Sequence, residues 1–266
     1  MEAASPSAPS TAPTAVLPST TAAPLAARVN GEGITLAEYQ AELGRYQAAL
    51  GGDPTPEDEK RVLDDLINQT LLAQAATEQG YTLSEADLQA RLDQLAEQRE
   101  GAQALTDWMK ANGYSEADFR LSLNRSIRAA WMRDQVIDAV PETAEQVHAH
   151  QILVRTPERA AELLAQLKAG SDFTALAKKV DPLTGGELGW FPRGILFDSK
   201  VEEAAFNLQP GQFSEVIQSR AGYHILQVIE RDEQHPLDPQ ARLTLQFQAL
   251  QKWIEDRRSQ SEIEIL

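Results

Sequence analysis

The sequence predicts an α+β chain: a mixed strand-and-helix unit inserted in a mostly α-helical domain built from N- and C-terminal segments. Three observations predict it. From about residue 28 to 140, apolar residues recur at helical spacing behind Ser/Thr cap signals. At Pro141 the pattern changes, and strand-like runs alternate with short helical ones over about 90 residues. The chain then ends in a single helical stretch and a short alternating segment, which cannot bury a core alone and must fold back on the first unit.

The elements follow in order. Residues 3 to about 27 hold almost only Ala, Ser, Thr and Pro. Such a composition cannot bury enough apolar surface to offset its ordering entropy, so 1–27 reads as a disordered linker, either a stalk to an anchor or a frayed tail. Order is expected from Ala27-Arg28-Val29, with Asn30-Gly31 as a tight turn. Thr35 and Glu38 read as a capping box opening a helix through Tyr39, Leu43 and Tyr46. Asp53-Pro54 opens a second helix (Val62, Leu66, Leu71, Leu72) that stops at Gly80. Ser84 with Asp87 opens a third through Leu88, Leu92 and Leu95; a short one around Trp108 stops at Asn112-Gly113. Ser115 with Asp118 opens a long one through Phe119, Leu123, Ile127 and Trp131.

In the second unit, expected over 141–233, Val147 to Val154 reads as a strand, and 157–168 and 172–180 as helices. A Gly-rich loop with a short strand, a short helix at Val201–Phe206, and strands at Val216-Ile217 and Tyr223–Ile229 follow. His235-Pro236-Leu237-Asp238-Pro239 reads as a linker within a C-terminal segment, 234–266. Residues 240–257 form a helix carrying Leu243, Phe247, Leu250 and Ile254, and Glu262–Leu266 alternates like a strand expected to pair near Arg28–Asn30.

Bulk properties exclude several function classes. With 40 acidic and 24 basic residues the formal charge is −16, so a nucleic-acid partner, which needs a basic surface, is excluded. No run approaches the roughly 20 apolar residues of a membrane span. There is no Cys, which removes disulfides, thiol catalysis and Cys-based zinc sites. The chain shows no phosphate loop and no nucleophile elbow. His148-x-His150 puts two imidazoles on one strand face, which could start a metal site. No third ligand has a matching spacing, so neither a metal nor a cofactor is expected.

What remains is a constellation: Gln151-Ile152-Leu153-Val154, Asp172-Phe173 with Leu176-Ala177, Asp181-Pro182, Gly185 to Phe191, Arg193-Gly194, Ala204-Ala205-Phe206, Gly211-Gln212 and Gly222-Tyr223-His224-Ile225. Over about 145–231 it resembles the parvulin family of peptidyl-prolyl isomerases. The flanks resemble extracytoplasmic foldases of the PrsA and SurA type, whose helical domain opens with a V-N-G-x-x-I-T segment, here Val29 to Thr35. The resemblance implies a parvulin-like domain, a small antiparallel sheet with flanking helices. It implies a site in which two strands each bring a His to a floor bonded to a hydroxyl residue and a Cys or Asp. His224 matches the second His, Asp181 the Cys/Asp position and Ser219 the hydroxyl. Leu188, Leu196 and Val201 match the wall that receives the proline ring, with Phe191 and Phe206 supporting it.

Three departures bear on the rate. The family's first His stands where this chain has Gln151, and His150, one residue away, should point to the other face. The loop from Asp181 to Gly186 is shorter, and the wall carries Leu196 and Val201 where Met and Phe are common, with a residue inserted between them. Gln151 can both donate and accept, so it is expected to hold the His224 tautomer as a second imidazole would. Such a site needs no nucleophile. Amide rotation faces a barrier of about 18–20 kcal/mol from resonance, and an apolar cleft with a placed donor favours the twisted imide, which has lost charge separation. The lone Arg155 after the first strand predicts no phospho-Ser/Thr requirement. The implied function is a prolyl isomerase that aids folding of exported proteins, acting on unfolded polypeptides with X-Pro bonds outside the cytoplasm, with a cytoplasmic place left open. The alternative is a holdase chaperone whose parvulin-like domain is weak or inactive. Oligomeric state is not legible.

Overall fold

The computed structural model describes residues 23–266; the expected linker lies outside the described residues up to 22. The first strand, β1 (Leu25–Val29), begins inside the segment read as linker, so order starts earlier than the boundary at 28. It does so because Ala26 and Ala27 are buried in the core beneath it. Asn30 (φ 50°) and Gly31 (φ 85°) then make a two-residue turn with both residues left-handed, and Val29 pairs with Glu32 at the head of β2 (Glu32–Thr35). The C-terminal strand β7 (Ile263–Ile265) closes the other edge of β1, with Ala27 opposite Ile265 and Val29 opposite Ile263. The first and last described strands thus share one three-stranded antiparallel sheet, in the order β2-β1-β7.

Five helices follow: α1 (Leu36–Leu50), α2 (Pro56–Glu78), α3 (Glu85–Gln98), α4 (Ala102–Ala111) and α5 (Glu116–Asp138). Thr35, Ser84 and Ser115 each accept from the backbone N–H three residues on, as expected of N-caps. Two local expectations fail. The second helix starts at Pro56 rather than Asp53-Pro54, because Thr55 and Asp58 form the reciprocal capping box there. Glu38 does not reach back to Thr35. Its carboxylate is buried and takes both oxygens to Arg125 Nη1 at 2.9 Å, so a long-range ion pair from α5 outcompetes the local cap. Ile34, Leu66, Ile67 and Leu71 pack with Ala27 and Val29 beneath the sheet.

Past Val140 the chain enters a four-stranded antiparallel sheet, β4-β3-β6-β5. Its strands are β3 (Thr143–Val154), β4 (Glu187–Pro192), β5 (Ile217–Gln218) and β6 (Tyr223–Pro236). Helices α6 (Pro157–Lys168) and α7 (Phe173–Val180) cover Ile152 and Ile225 on one face. Helix α8 (Ser199–Asn207) covers Val147, Ala149, Leu226 and Val228 on the other. This is the α+β fold expected. The expected linker at His235 is instead strand: β6 runs on to Pro236, with Ala144 opposite His235 and Thr143 opposite Pro236, past the boundary at 233/234. The pairing continues because Gln146 Nε2 donates to the carbonyls of His235 and Pro236 at 3.0 Å.

The last helix, α9 (Pro239–Ser259), packs on α2 and α5 through Leu250 and Trp253. Leu243 and Phe247, two of the apolar residues this helix carries, are 59% and 62% exposed. That early part of the helix lies instead beside the Arg193-Gly194 loop, where Gln248 Nε2 donates to Gly194 O at 2.8 Å.

Candidate active site

Two glycines set the geometry of the site. Gly222 (φ 143°) brings the chain into β6 so close to β3 that a Cβ there would lie 2.4 Å from Val154 O. The turn before it closes through Ser219 N–H donating to Gly222 O at 2.8 Å. Gly186 (φ 74°) lies against the other strand: its carbonyl accepts from Gln151 N–H at 2.7 Å, and a Cβ would meet Gln151 O at 1.9 Å. Both approaches aim side chains at one point.

That point is His224. Leu153 lies opposite it across the ladder, so Gln151, two residues back on β3, is its same-face diagonal neighbour. His224 Nδ1 is 3.0 Å from Gln151 Oε1 and Nε2 is 2.6 Å from Ser219 Oγ. Ser219 Oγ accepts from Ala221 N–H at 3.0 Å. The hydroxyl proton therefore goes to Nε2, and the ring proton sits on Nδ1 and is donated to Gln151. Burial pushes the His224 pKa below its ordinary value, against a smaller upward pull from Asp198. The ring is 6% exposed and is held neutral between two partners.

Above the ring opens a cleft of about 400 Å³, lined by Leu188, Leu196, Phe197, Asp198, Val201 and Ala221 besides Gln151, Ser219, Arg220 and His224. Leu188, Leu196 and Val201, the expected wall, are all there. Leu196 is placed by a residue that sequence reasoning missed. The Glu202 carboxylate accepts from the N–H groups of Gly194, Ile195 and Leu196 at 2.9 to 3.1 Å, folding the 193–196 loop onto the start of α8. Its first-turn position on a short helix was the only available signal. Phe197 and Asp198 were also missed. Phe197 is 93% exposed at the rim, while Asp198 caps α8 by accepting from Lys200 and Val201 N–H.

Three sequence expectations change. Phe191 and Phe206, grouped with the substrate-binding residues as supports of the wall, do not line the cleft. They meet edge to face at 6.0 Å in the core that backs Val201. Asp181 stands outside the His224 network. Because its loop is short, the carboxylate closes the turn locally, accepting from Leu183 and Thr184 N–H at 3.0 and 3.2 Å and from the Thr184 hydroxyl. Those bonds, the hydroxyl's first, lower its pKa. Thr184 Oγ in turn accepts from Gly186 N–H at 3.1 Å, so Asp181 reaches the site only through the turn that seats Gly186 on Gln151.

The third change concerns metal ligands. His148 and His150 point away from His224, and β4 brings Glu187 opposite His150. Glu187 Oε1 is 2.7 Å from His148 Nε2 and Oε2 is 2.5 Å from His150 Nε2. The third ligand-capable group that spacing did not offer is supplied by strand register.

Residues 142–230 match the family model of the PPIC-type PPIase domain, and residues 13–133 that of the SurA-like N-terminal domain. The chain is 26% identical over 223 residues to "Foldase protein PrsA" of Geobacillus sp. (strain WCH70), covering 78% of this chain and 76% of that protein. It is 29% identical over 223 residues to the foldase protein PrsA of Caldanaerobacter subterraneus subsp. tengcongensis, covering 74% and 71%. It is 30% identical over 209 residues to "Chaperone SurA" of Alcanivorax borkumensis, covering 65% of this chain and 47% of that protein.

Proposed function

We propose, from the premise that this chain is a parvulin-type peptidyl-prolyl cis/trans isomerase with a SurA-like N-terminal domain, that it catalyses folding by twisting X-Pro bonds in the His224 cleft. It is a folding catalyst and chaperone for unfolded polypeptides. The observation that carries the site assignment is an apolar cleft floored by one neutral imidazole with a partner on each nitrogen.

In this reading Leu188, Leu196 and Val201 receive the proline ring. The planar imide is stabilised by water through its charge separation; the twisted imide is not, so an apolar wall favours the twisted form. The His224–Ser219–Gln151 network orients the donor. Gln151 spends its carbonyl oxygen on His224, and its NH2 makes no hydrogen bond with a described residue, which leaves it to donate to the imide as the bond rotates. No covalent bond forms. The isomerase unit begins at Pro141 and returns along β6, and the helical body is built from 25–140 and the C-terminal segment. The protein acts outside the cytoplasm, at the cell surface or in a periplasm. Among the described residues no helix is long and apolar enough to cross a membrane.

A protease-coupled assay on an X-Pro tetrapeptide tests this. The expected result is a rate that rises linearly with protein, equal for plain and phosphorylated peptides. Exposed Leu243 and Phe247 on α9 favour a second reading, a holdase that binds chains without turning them over. A rate equal to buffer at micromolar protein, with client aggregation still suppressed, selects that reading.

A further inference from the structure

We propose that His148, His150 and Glu187 form a binding site for a divalent transition-metal ion, with Zn²⁺ as the fitting ion, on the side of β3 opposite the cleft. The three ligand atoms lie within 4.8 Å of one another. Both Nε2 atoms already face the same carboxylate, His148 at 2.7 Å from Oε1 and His150 at 2.5 Å from Oε2. Zinc–ligand distances of about 2.0–2.2 Å require ligand atoms roughly 3.3 Å apart in a tetrahedron, so each imidazole–carboxylate gap opens by less than about 1 Å. Glu187 Oε1 accepts from Gly189 N–H at 2.7 Å, which holds the carboxylate in place as a supporting hydrogen bond does in metal sites.

The donor set decides the metal class. Two imidazoles and one carboxylate suit zinc and its neighbours, whereas Mg²⁺ and Ca²⁺ take oxygen ligands. The side chains are 24%, 16% and 43% exposed, so an ion can enter from solvent and a water can complete the fourth position. The affinity is limited by one feature. His150 Nδ1 is buried and has no hydrogen-bond partner. Metal on Nε2 puts the proton on Nδ1, where nothing accepts it, and loss of that supporting bond costs about 10–100-fold in affinity. The site therefore binds more weakly than a closed structural zinc site. Gln151 follows His150 and Leu188 follows Glu187, so a bound ion clamps together the two strands that carry the cleft's floor and wall.

Titration of the full chain, free of any affinity tag, with ZnCl2 in a calorimeter tests the site. One-to-one binding is expected, with a melting temperature that rises with free zinc. His150→Gln and Glu187→Gln should each weaken binding by at least about tenfold, while His235→Gln binds as the parent does. Histidine NMR signals give a readout without variants: zinc should move those of His148 and His150 and leave that of His224 in place. Absence of saturable zinc binding, binding that survives both substitutions, or a shift confined to His224 overturns the proposal.

Discussion

Replacing Gln151 by Leu tests the floor of the cleft directly. In the parent, His224 Nδ1–H is donated to Gln151 Oε1 at 3.0 Å and Nε2 accepts from Ser219 at 2.6 Å. Leucine keeps the volume and removes the acceptor, leaving a ring N–H in a residue only 6% exposed without a partner. A buried unsatisfied donor costs about 1–3 kcal/mol. The ring can recover part of that by moving its proton to Nε2 and turning the Ser219 hydroxyl, but it then presents a different face to substrate. A net loss of about 1.4 kcal/mol in transition-state stabilisation corresponds to a tenfold fall in kcat/KM. The variant also loses the NH2 donor, so this is a lower bound. Gln151→His restores an imidazole partner and should change the rate in the other direction. The assay is isomerisation of an X-Pro tetrapeptide, with circular dichroism to show that each variant is folded. If both variants turn over peptide within twofold of the parent, Gln151 has no part in the mechanism, and the reasoning about the His224 tautomer fails with it.

Three further outcomes follow from the same geometry. The depressed pKa of His224 makes kcat/KM level above about pH 6.5 and falling below it as the ring protonates. By linkage its share of stability is fully present above the unfolded value and declines as pH falls from there toward the folded value; an inflection above 6.5 in a pH–rate profile contradicts this. Glu38→Ala leaves Arg125, 6% exposed at its side chain, with Glu32 as its one carboxylate partner and the Gly33 carbonyl, both at 3.3 Å; it should lower the urea-derived unfolding free energy by about 3 kcal/mol, and a loss below about 1 kcal/mol would show the pair is dispensable. Gly186→Ala sets a Cβ 1.9 Å from Gln151 O and must displace strand, whereas Gly185→Ala meets only Lys178 Cγ at 3.3 Å and pays the left-handed cost of about 1–2 kcal/mol; equal melting temperatures for the two would refute the close approach.

Much of this was legible in the sequence wherever the deciding interaction is local. Ser84, Ser115 and Asp172 cap helices because each side chain reaches an N–H three residues on. Asn30-Gly31 turns because both positions need left-handed backbone. The terminal strand was readable as a partner for the first one because a lone alternating segment must pair somewhere. The Gly-rich and His224 segments were readable through the family resemblance of their motifs, while the contacts that require Gly186 and Gly222 are to Gln151 and Val154, far along the chain.

What the sequence could not decide is which distant group wins a given side chain. Glu38 had a local partner three residues back and took Arg125, 87 residues away. Asp181 went the other way, kept by its own short turn. Glu187 faces His148 and His150 only through the register of β3 with β4. The partnership of Gln151 with His224, 73 residues apart, was expected from the family resemblance and not from local chemistry. Sequence alone determined the order of elements and the turns, because these follow from chemistry within one or two turns of chain, whereas the apolar wall was legible only through the family resemblance. The tertiary structure decided the proton's place on His224 and the company of Glu187, because a strand register is set by the whole sheet and one residue of slip would turn every such side chain to the opposite face.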